Sequence, residues 1–345
     1  MHRLLAVIFL IAFSVPTQAA SVRVRLAKST KQLKVTGRFD CGARKLNSPL
    51  VKRVGSKLLI AGKSVPKAFC SGRGRFVHQG LAWDGGAELR LHGTSLILVG
   101  VIDLETYIAG VVAAELMPGW PPAALQAMAV AARSYTRWRM SQSTKAPYHL
   151  TSDVSSQVFR GLNRIREPVR QATRQTRGQV LRYKGRPIAA YYHACAAGRT
   201  ATAAEVWGKD QPYLKSVISP DLACNRINWR AAMHVKDAGK KLGIGAVTAA
   251  RITAFTKSNR VEEVELMTAE GARLFSGQTL RKKLGWAILR STDFSISMTG
   301  RQLVFLGHGS GHGVGMSQWG AKGLAQRGKD YRAILAHYYK DCQLR

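Results

Sequence analysis

The chain has 345 residues, with 53 Lys and Arg against 19 Asp and Glu, a formal net charge of +34. That length can bury a sizeable core and suggests about two domains. With 46% apolar residues intrinsic disorder is excluded, and so large a basic excess points to polyanionic partners and away from basic ones.

The N-terminus reads as a secretory signal over residues 1–20. Arg3 gives the positive region, Leu4 to Val15 the apolar run, and Pro16-Thr-Gln-Ala-Ala20 the small-residue end. Cleavage is expected after Ala19 or Ala20. The apolar run is too short for a permanent span, and no later segment is long and apolar enough to cross a membrane. No transmembrane anchor is therefore expected after cleavage, and the absence of Cys near that site gives no sign of a lipid anchor. The expected location is exported, in a periplasm or cell-wall space. There the polyanion would be a wall glycan, a wall polymer or anionic lipid rather than nucleic acid.

Residues 21–103 predict a β-rich unit. Ser21-Val-Arg-Val-Arg-Leu26 and Gln32-Leu-Lys-Val-Thr36 alternate apolar and polar residues, and Leu58 to Ile60, Glu88 to His92 and Leu96 to Val99 follow. The spacing then predicts a helix over Leu104 to Ala114, broken at Met117-Pro-Gly-Trp-Pro-Pro122. A second helix starts near Pro121 or Pro122 and runs to Met140, with Leu125, Met128, Ala129, Ala132 and Tyr135 on one face. Gln179 to Tyr183 and Ile188 to His193 read as a hairpin. Residues 225–305 read as an inserted α/β unit, with a helix near Ala231 to Leu242 and strands near Arg251 to Thr256, Val261 to Met267 and Leu303 to Phe305. Residues 306–345 hold a Gly-rich stretch and a helix from Lys329 to Tyr339. The fold class expected is α+β: a β-rich N-terminal unit, a mixed α/β core over 104–224 with a cleft, and the inserted subdomain.

Three stretches carry polar groups in unusual company. Gly110-Val-Val-Ala-Ala-Glu115-Leu-Met-Pro118 sets one carboxylate in an apolar run. Apolar surroundings disfavour the charged form, so such a group can hold a proton at neutral pH and act as a general acid; a Glu near a helix end that reaches water is the other reading. Gly307-His-Gly-Ser-Gly-His-Gly-Val-Gly-Met-Ser-Gln-Trp-Gly320 intersperses glycines with His308, His312, Ser317, Gln318 and Trp319. Glycine lets a ligand approach the main chain, and Trp319 offers a platform for a sugar face. His308 and His312 share the four-residue spacing of helical zinc sites, but so many glycines argue against a helix. A structural Gly turn with satisfied histidines is the bland alternative.

The third stretch, Tyr191 to Val217, contains His193 and Cys195, which could suggest a thiol nucleophile. A disulfide would silence it. An oxidising compartment allows pairing of the five cysteines; Cys41–Cys70 and Cys195–Cys224 are the pairs suggested by proximity, leaving Cys342 odd.

These blocks together resemble the SpoIID/LytB family, the sporulation-associated wall lytic transglycosylases and related amidase-enhancer proteins. The resemblance rests on Leu104-Glu-x-Tyr-Ile-x-Gly-Val-Val-Ala-Ala-Glu-Leu-x-Pro118, Ala124-Leu-x-Ala-x-Ala-Val-Ala-Ala-Arg-Ser-Tyr135, Ser156-Gln-Val-Phe-x-Gly161, the block from Cys195 to Val217, and the Gly-rich stretch. It implies that Glu115 acts as acid and then base in cleaving the MurNAc–GlcNAc β-1,4 bond, with the sugar's own 6-hydroxyl attacking C1 to leave a 1,6-anhydro end. It further implies that Arg133 orients Glu115 or binds a lactyl carboxylate, and that Gln157, His308, His312, Ser317 and Gln318 line the substrate cleft. Some relatives bind zinc through a His/Cys cluster near Gln157. Here His149-Leu-Thr-Ser-Asp153 contains no cysteine, so no metal and no cofactor are expected.

The leading expectation is thus an exported peptidoglycan lytic transglycosylase that prefers glycan strands stripped of stem peptides. The alternative is a wall-binding protein that enhances an N-acetylmuramoyl-L-alanine amidase and cuts nothing. A nucleic-acid binder would rest on charge alone and leave Glu115 without a role.

Overall fold

The computed structural model describes residues 20–41, 45–55, 57–60, 63–65, 69–221, 223–224 and 227–345. Residues 1–19 of the expected signal peptide lie outside them. The fold is α+β.

The N-terminal half is an antiparallel meander. Its largest sheet has seven strands, in the order Leu150–Thr151, Ser21–Ser29, Ser95–Asp103, Leu81–His92, Phe69–His78, Arg38–Asp40 and Lys45–Asn47. The strand Ser95–Asp103 is buried almost throughout, which matches its unbroken apolar run Leu96-Ile-Leu-Val99. A disulfide joins Cys41 to Cys70, the first of the two expected pairs.

The central strand Ser95–Asp103 runs directly into helix α1, Leu104–Glu115. Asp103 caps it by accepting from the Thr106 amide at 2.9 Å. Helix α2, Pro122–Gln142, begins with proline in its first turn, as the sequence predicts. Its run of alanines and Gly110 let α1 and α2 sit deep in the main core. A Cβ on Gly110 would meet the ring of Phe159, so glycine there is what lets the segment around Phe159 press against α1. Phe159 in turn packs on Tyr107, with ring centroids 5.2 Å apart.

A second core runs from Trp229 to Phe305. Two three-stranded sheets build it: Asn228–His234, Gln302–His308 and Asp293–Thr299; and Ala249–Phe255, Val261–Thr268 and Gly271–Ser276. Helices α5, Val235–Leu242, and α6, Gly277–Leu284, cover them; helices α3, Glu167–Gln175, and α4, Ala203–Trp207, belong to the first core's side. The structure shortens the expected helix at Ala231: residues 228–234 are a strand paired with 302–308. Pairing both edges of Gln302–His308 outweighs the helical preference of Ala231 and Ala232.

The hairpin expected from residues 179–193 is also shorter, Leu181–Tyr183 against Arg186–Pro187. Tyr192 and His193 pair in parallel with Met316 and Ser317 instead. That bridge joins the third sequence block to the Gly-rich stretch, after which come helix α7, Gln318–Gln326, and helix α8, Tyr331–Tyr338. Helix α7 lies where no helix is expected from the residues, because Gly320 and Gly323 hide the pattern. Both glycines are required by contact: a Cβ would strike the Tyr338 hydroxyl or the Pro220 carbonyl.

Gly110→Ala should therefore destabilise the protein by about 1–3 kcal/mol, the usual cost of overpacking a core. Urea unfolding of the variant against the wild type measures it; an unchanged midpoint would refute the close-approach argument.

Candidate functional site

Glu115 is the last residue of α1, and its carboxyl is enclosed. The Val158 amide donates to Oε1 at 3.0 Å, and the Gln318 side-chain amide donates to Oε2 at 3.0 Å. Burial pushes its pKa above the ordinary 4.5, and these two donors, with the nearby Tyr192 hydroxyl, pull back against that rise. The C-terminal end of α1 acts in the same direction as burial, since its exposed carbonyl dipoles repel a negative charge, and no basic residue sits in its last turn.

The two donors arrive from distant places. Val158 is presented by the segment 151–161. This segment is fixed by Phe159 donating to the Ser152 carbonyl and by Leu162 donating to the Ala82 carbonyl. Gln318 opens α7, whose cap is Ser317: its hydroxyl accepts from the Gly320 amide and donates to Asp221 Oδ2 at 2.8 Å. Asp221 is wholly buried and also accepts from the Ala196 amide at 2.6 Å and the Gly198 amide at 2.8 Å. One carboxylate thus ties the 194–198 loop to the start of α7, and so places Gln318.

Two cavities meet at Glu115. One, of about 310 Å³, is lined by Tyr135, Tyr191, Tyr192, His193, His312 and, from the second core, Arg281, Trp286 and Arg290. The other, of about 630 Å³, is lined by Met117, Trp120, Asn163, Arg164, Arg166 and Trp319. Glu115, Val154, Ala194 and Gln318 border both. Glu115 is the only carboxylate among the described lining residues, against Arg281, Arg290, Arg164 and Arg166.

Aromatic rings furnish both sides. Trp120 and Trp319 meet edge to face at 5.4 Å, with the Lys322 ammonium 4.5 Å above Trp319. On the other side His312 is surrounded by His193, Tyr191 and Trp207. Burial first, then the Arg281 charge, lowers its pKa to about 3. His193 is likewise pushed well down, by burial and then by His312. Both imidazoles are neutral at any physiological pH. The Tyr192 hydroxyl and His193 Nε2 are buried with no partner in hydrogen-bond geometry.

The expected site residues divide accordingly. Gln318 touches Glu115, and His312 lines the smaller cavity. Ser317 lies one step behind, as the α7 cap. Gln157 is buried behind the site, accepting from Thr136 Oγ1 at 2.8 Å and donating to the Ala132 carbonyl at 3.2 Å. It holds α2 against the 151–161 segment and does not line either cavity. Arg133 is a correction. Its guanidinium is fully buried in a two-point pair with Glu105, at 2.9 and 2.7 Å, and donates to the Gln179 carbonyl, so it neither touches Glu115 nor faces a cavity. His308 is a second correction: it ends a strand, is largely exposed, and faces Asp293 at 3.4 Å. Cys195 and Cys224 are both buried, with Cys195 hydrogen-bonded to Cys224 as a thiol rather than joined to it as expected. That bond, and then burial, raise the Cys195 thiol far above its ordinary range, which removes the thiolate a nucleophile needs. His149 is held by the Arg23 amide, and Asp153 accepts from Thr151 and Ser155. Among the described residues no three of His, Cys, Asp and Glu converge as a metal site would require, and no helix is long and apolar enough to cross a membrane.

Residues 92–183, which carry α1, α2 and Val158, match the model of the SpoIID family, "Stage II sporulation protein". The chain is 34% identical to stage II sporulation protein D of Bacillus amyloliquefaciens over 72% of its own length and 76% of that protein. The chain belongs to the SpoIID family. It is also 32% identical to an uncharacterized protein of Brachyspira hyodysenteriae, over 76% of this chain and 72% of the relative. To the amidase enhancer of Bacillus subtilis it is 27% identical over 67% of this chain, which spans 39% of that protein.

Sequence reasoning missed the arginines, Trp286, Tyr192 and Asp221. Trp286 had a usable signal, a lone Trp after the basic run Arg281-Lys-Lys283. Asp221 had none, because its partners are backbone amides and a serine brought together by the fold.

Two stability measurements follow. Arg133→Met leaves Glu105 without its partner and should cost about 3–5 kcal/mol, read by urea unfolding; a near-neutral result would return Arg133 to the list of ligand-contacting groups. For Glu115 the folded pKa lies above the unfolded one, so its contribution is present in full below the unfolded value and is lost as pH rises through the folded value. Glu115→Gln should accordingly melt above wild type at neutral pH, with the gap closing below about pH 4. Equal melting points at pH 7 would contradict an enclosed charge.

Proposed function

We propose that this protein is an exported peptidoglycan lytic transglycosylase that cleaves the MurNAc–GlcNAc β-1,4 bond of glycan strands stripped of stem peptides, with Glu115 as general acid and then base. The observation that carries this reading is the lone carboxyl at the seam of two cavities. Glycosidases that use water need a second carboxyl group, as nucleophile or as base. Here no second one faces Glu115 among the described lining residues.

A polysaccharide laid through both cavities would place one glycosidic bond at Glu115. Its raised pKa favours the protonated form that can donate to the leaving oxygen. The bond from C1 to that oxygen then breaks, and the departing sugar leaves as an alcohol. The substrate's own 6-hydroxyl attacks C1 and returns its proton to the Glu115 carboxylate, so the acid is regenerated and no water is consumed. The Val158 and Gln318 donors stabilise the carboxylate formed between the two steps. Aromatic faces at Trp120, Trp319 and Trp286 suit sugar rings, and the surrounding arginines suit an acidic glycan.

The likeness to an amidase enhancer favours a second reading, in which the same groove holds a glycan for a partner amidase and cuts nothing. Denuded glycan strands separate the two. With purified wild type, 1,6-anhydro ends should appear, with a rate that falls as pH rises past the Glu115 pKa, and Glu115→Gln should lower it by at least a hundredfold. Wild type that binds the strands and releases no anhydro product across pH would leave the enhancer reading standing alone.

A further inference from the structure

The smaller cavity is lined by charged groups of both signs: Glu115 from the first core, and Arg281 and Arg290 from the second. Arg281 is buried, and its Nε and Nη2 are spent on the carbonyls of Leu289 and Arg290, at 3.0 and 2.9 Å. Those bonds fix the loop that carries Trp286 and Arg290, and leave Nη1 unspent. The guanidinium also lies 4.5 Å from the centre of the Trp286 ring, which is 59% exposed. An exposed tryptophan held flat by a buried arginine is a prepared platform, since its orientation is fixed before a ligand arrives. Arg290 is exposed beside it. His193, which also lines this cavity, has its Nε2 buried with no hydrogen-bond partner among the described residues.

With no acid beyond Glu115 among the described lining residues, this wall suits one ligand chemistry: a sugar with a free carboxylate, its ring on Trp286 and its charge against guanidinium groups. We propose that the second core supplies the substrate selectivity of the site, with Arg281 and Arg290 reading the free lactyl carboxylate of the sugar bound in the smaller cavity. This rests on the glycan-strand reading above. A stem peptide converts that carboxylate to an amide, so the arginines would sense whether a sugar has been stripped by its charge and not only by its bulk.

The test uses full-length protein carrying Glu115→Gln, so that ligand survives, and two forms of the same denuded strands: one with free lactyl carboxylates and one with these converted to primary carboxamides. The amide nearly matches the carboxylate in size and lacks its charge. Binding to the free acid should be tighter by roughly tenfold or more, the scale of a charge-assisted hydrogen bond. Adding Arg290→Gln, whose side chain is exposed and so leaves the core intact, should shrink that difference severalfold by weakening only the acid form, Arg281 remaining in place. Trp286→Ala should weaken both forms alike. If the acid and amide bind equally, or if Arg290→Gln weakens both to the same degree, the selectivity proposal is overturned. Failure of the cleavage reading shows elsewhere, as wild type that discriminates acid from amide yet yields no anhydro ends.

Discussion

The structure is organised around one enclosed carboxyl group. Glu115 sits where the dipole of its own helix and the surrounding protein both oppose its charge, while two directed amides, from Val158 and Gln318, support it. A group so balanced can exist in either protonation state at modest cost, which is what alternating acid and base work demands. Each of the supports depends on a different part of the fold, so the carboxyl makes the assembly of the whole core a condition of its chemistry.

Much of the buried polar structure serves that balance indirectly. Gln157 joins α2 to the segment that offers Val158. The Arg133–Glu105 pair locks the first turn of α1 to α2. Asp221 ties the 194–198 loop to the cap of α7. None of these three lines either cavity at Glu115. Buried polar groups that satisfy one another specify a single arrangement rather than add much stability, and here the arrangement specified is the position of two N–H groups around Glu115.

The second core adds what the first lacks. The helical core carries the carboxyl, its supports and the wider cavity with Trp120 and Trp319, while Arg281, Trp286 and Arg290 close one wall of the narrower cavity. In the proposed reading, chemistry and recognition are divided between two packing units, so that substitutions in the wall from the second core can leave Glu115 in place.

The sequence by itself determined the local and periodic features. The alternating strands of residues 21–103, the proline-initiated α2, the apolar setting of Glu115 and the Gly-rich stretch are all set by neighbours within a few positions, and the ordered blocks carried the family. The Cys41–Cys70 pair was legible from proximity as well. What only the tertiary structure decided is which polar groups converge. Arg133 and His308 looked like ligand contacts and are held by Glu105 and Asp293 instead. Asp221 had no local signature, because it accepts from amides 23 and 25 residues away and from Ser317, 96 residues away, and periodicity carries no information over such separations. Residues 228–234 show the same limit in the backbone: their helical composition yielded to pairing with a strand some seventy positions on, where long-range hydrogen bonds outweigh a weak local preference.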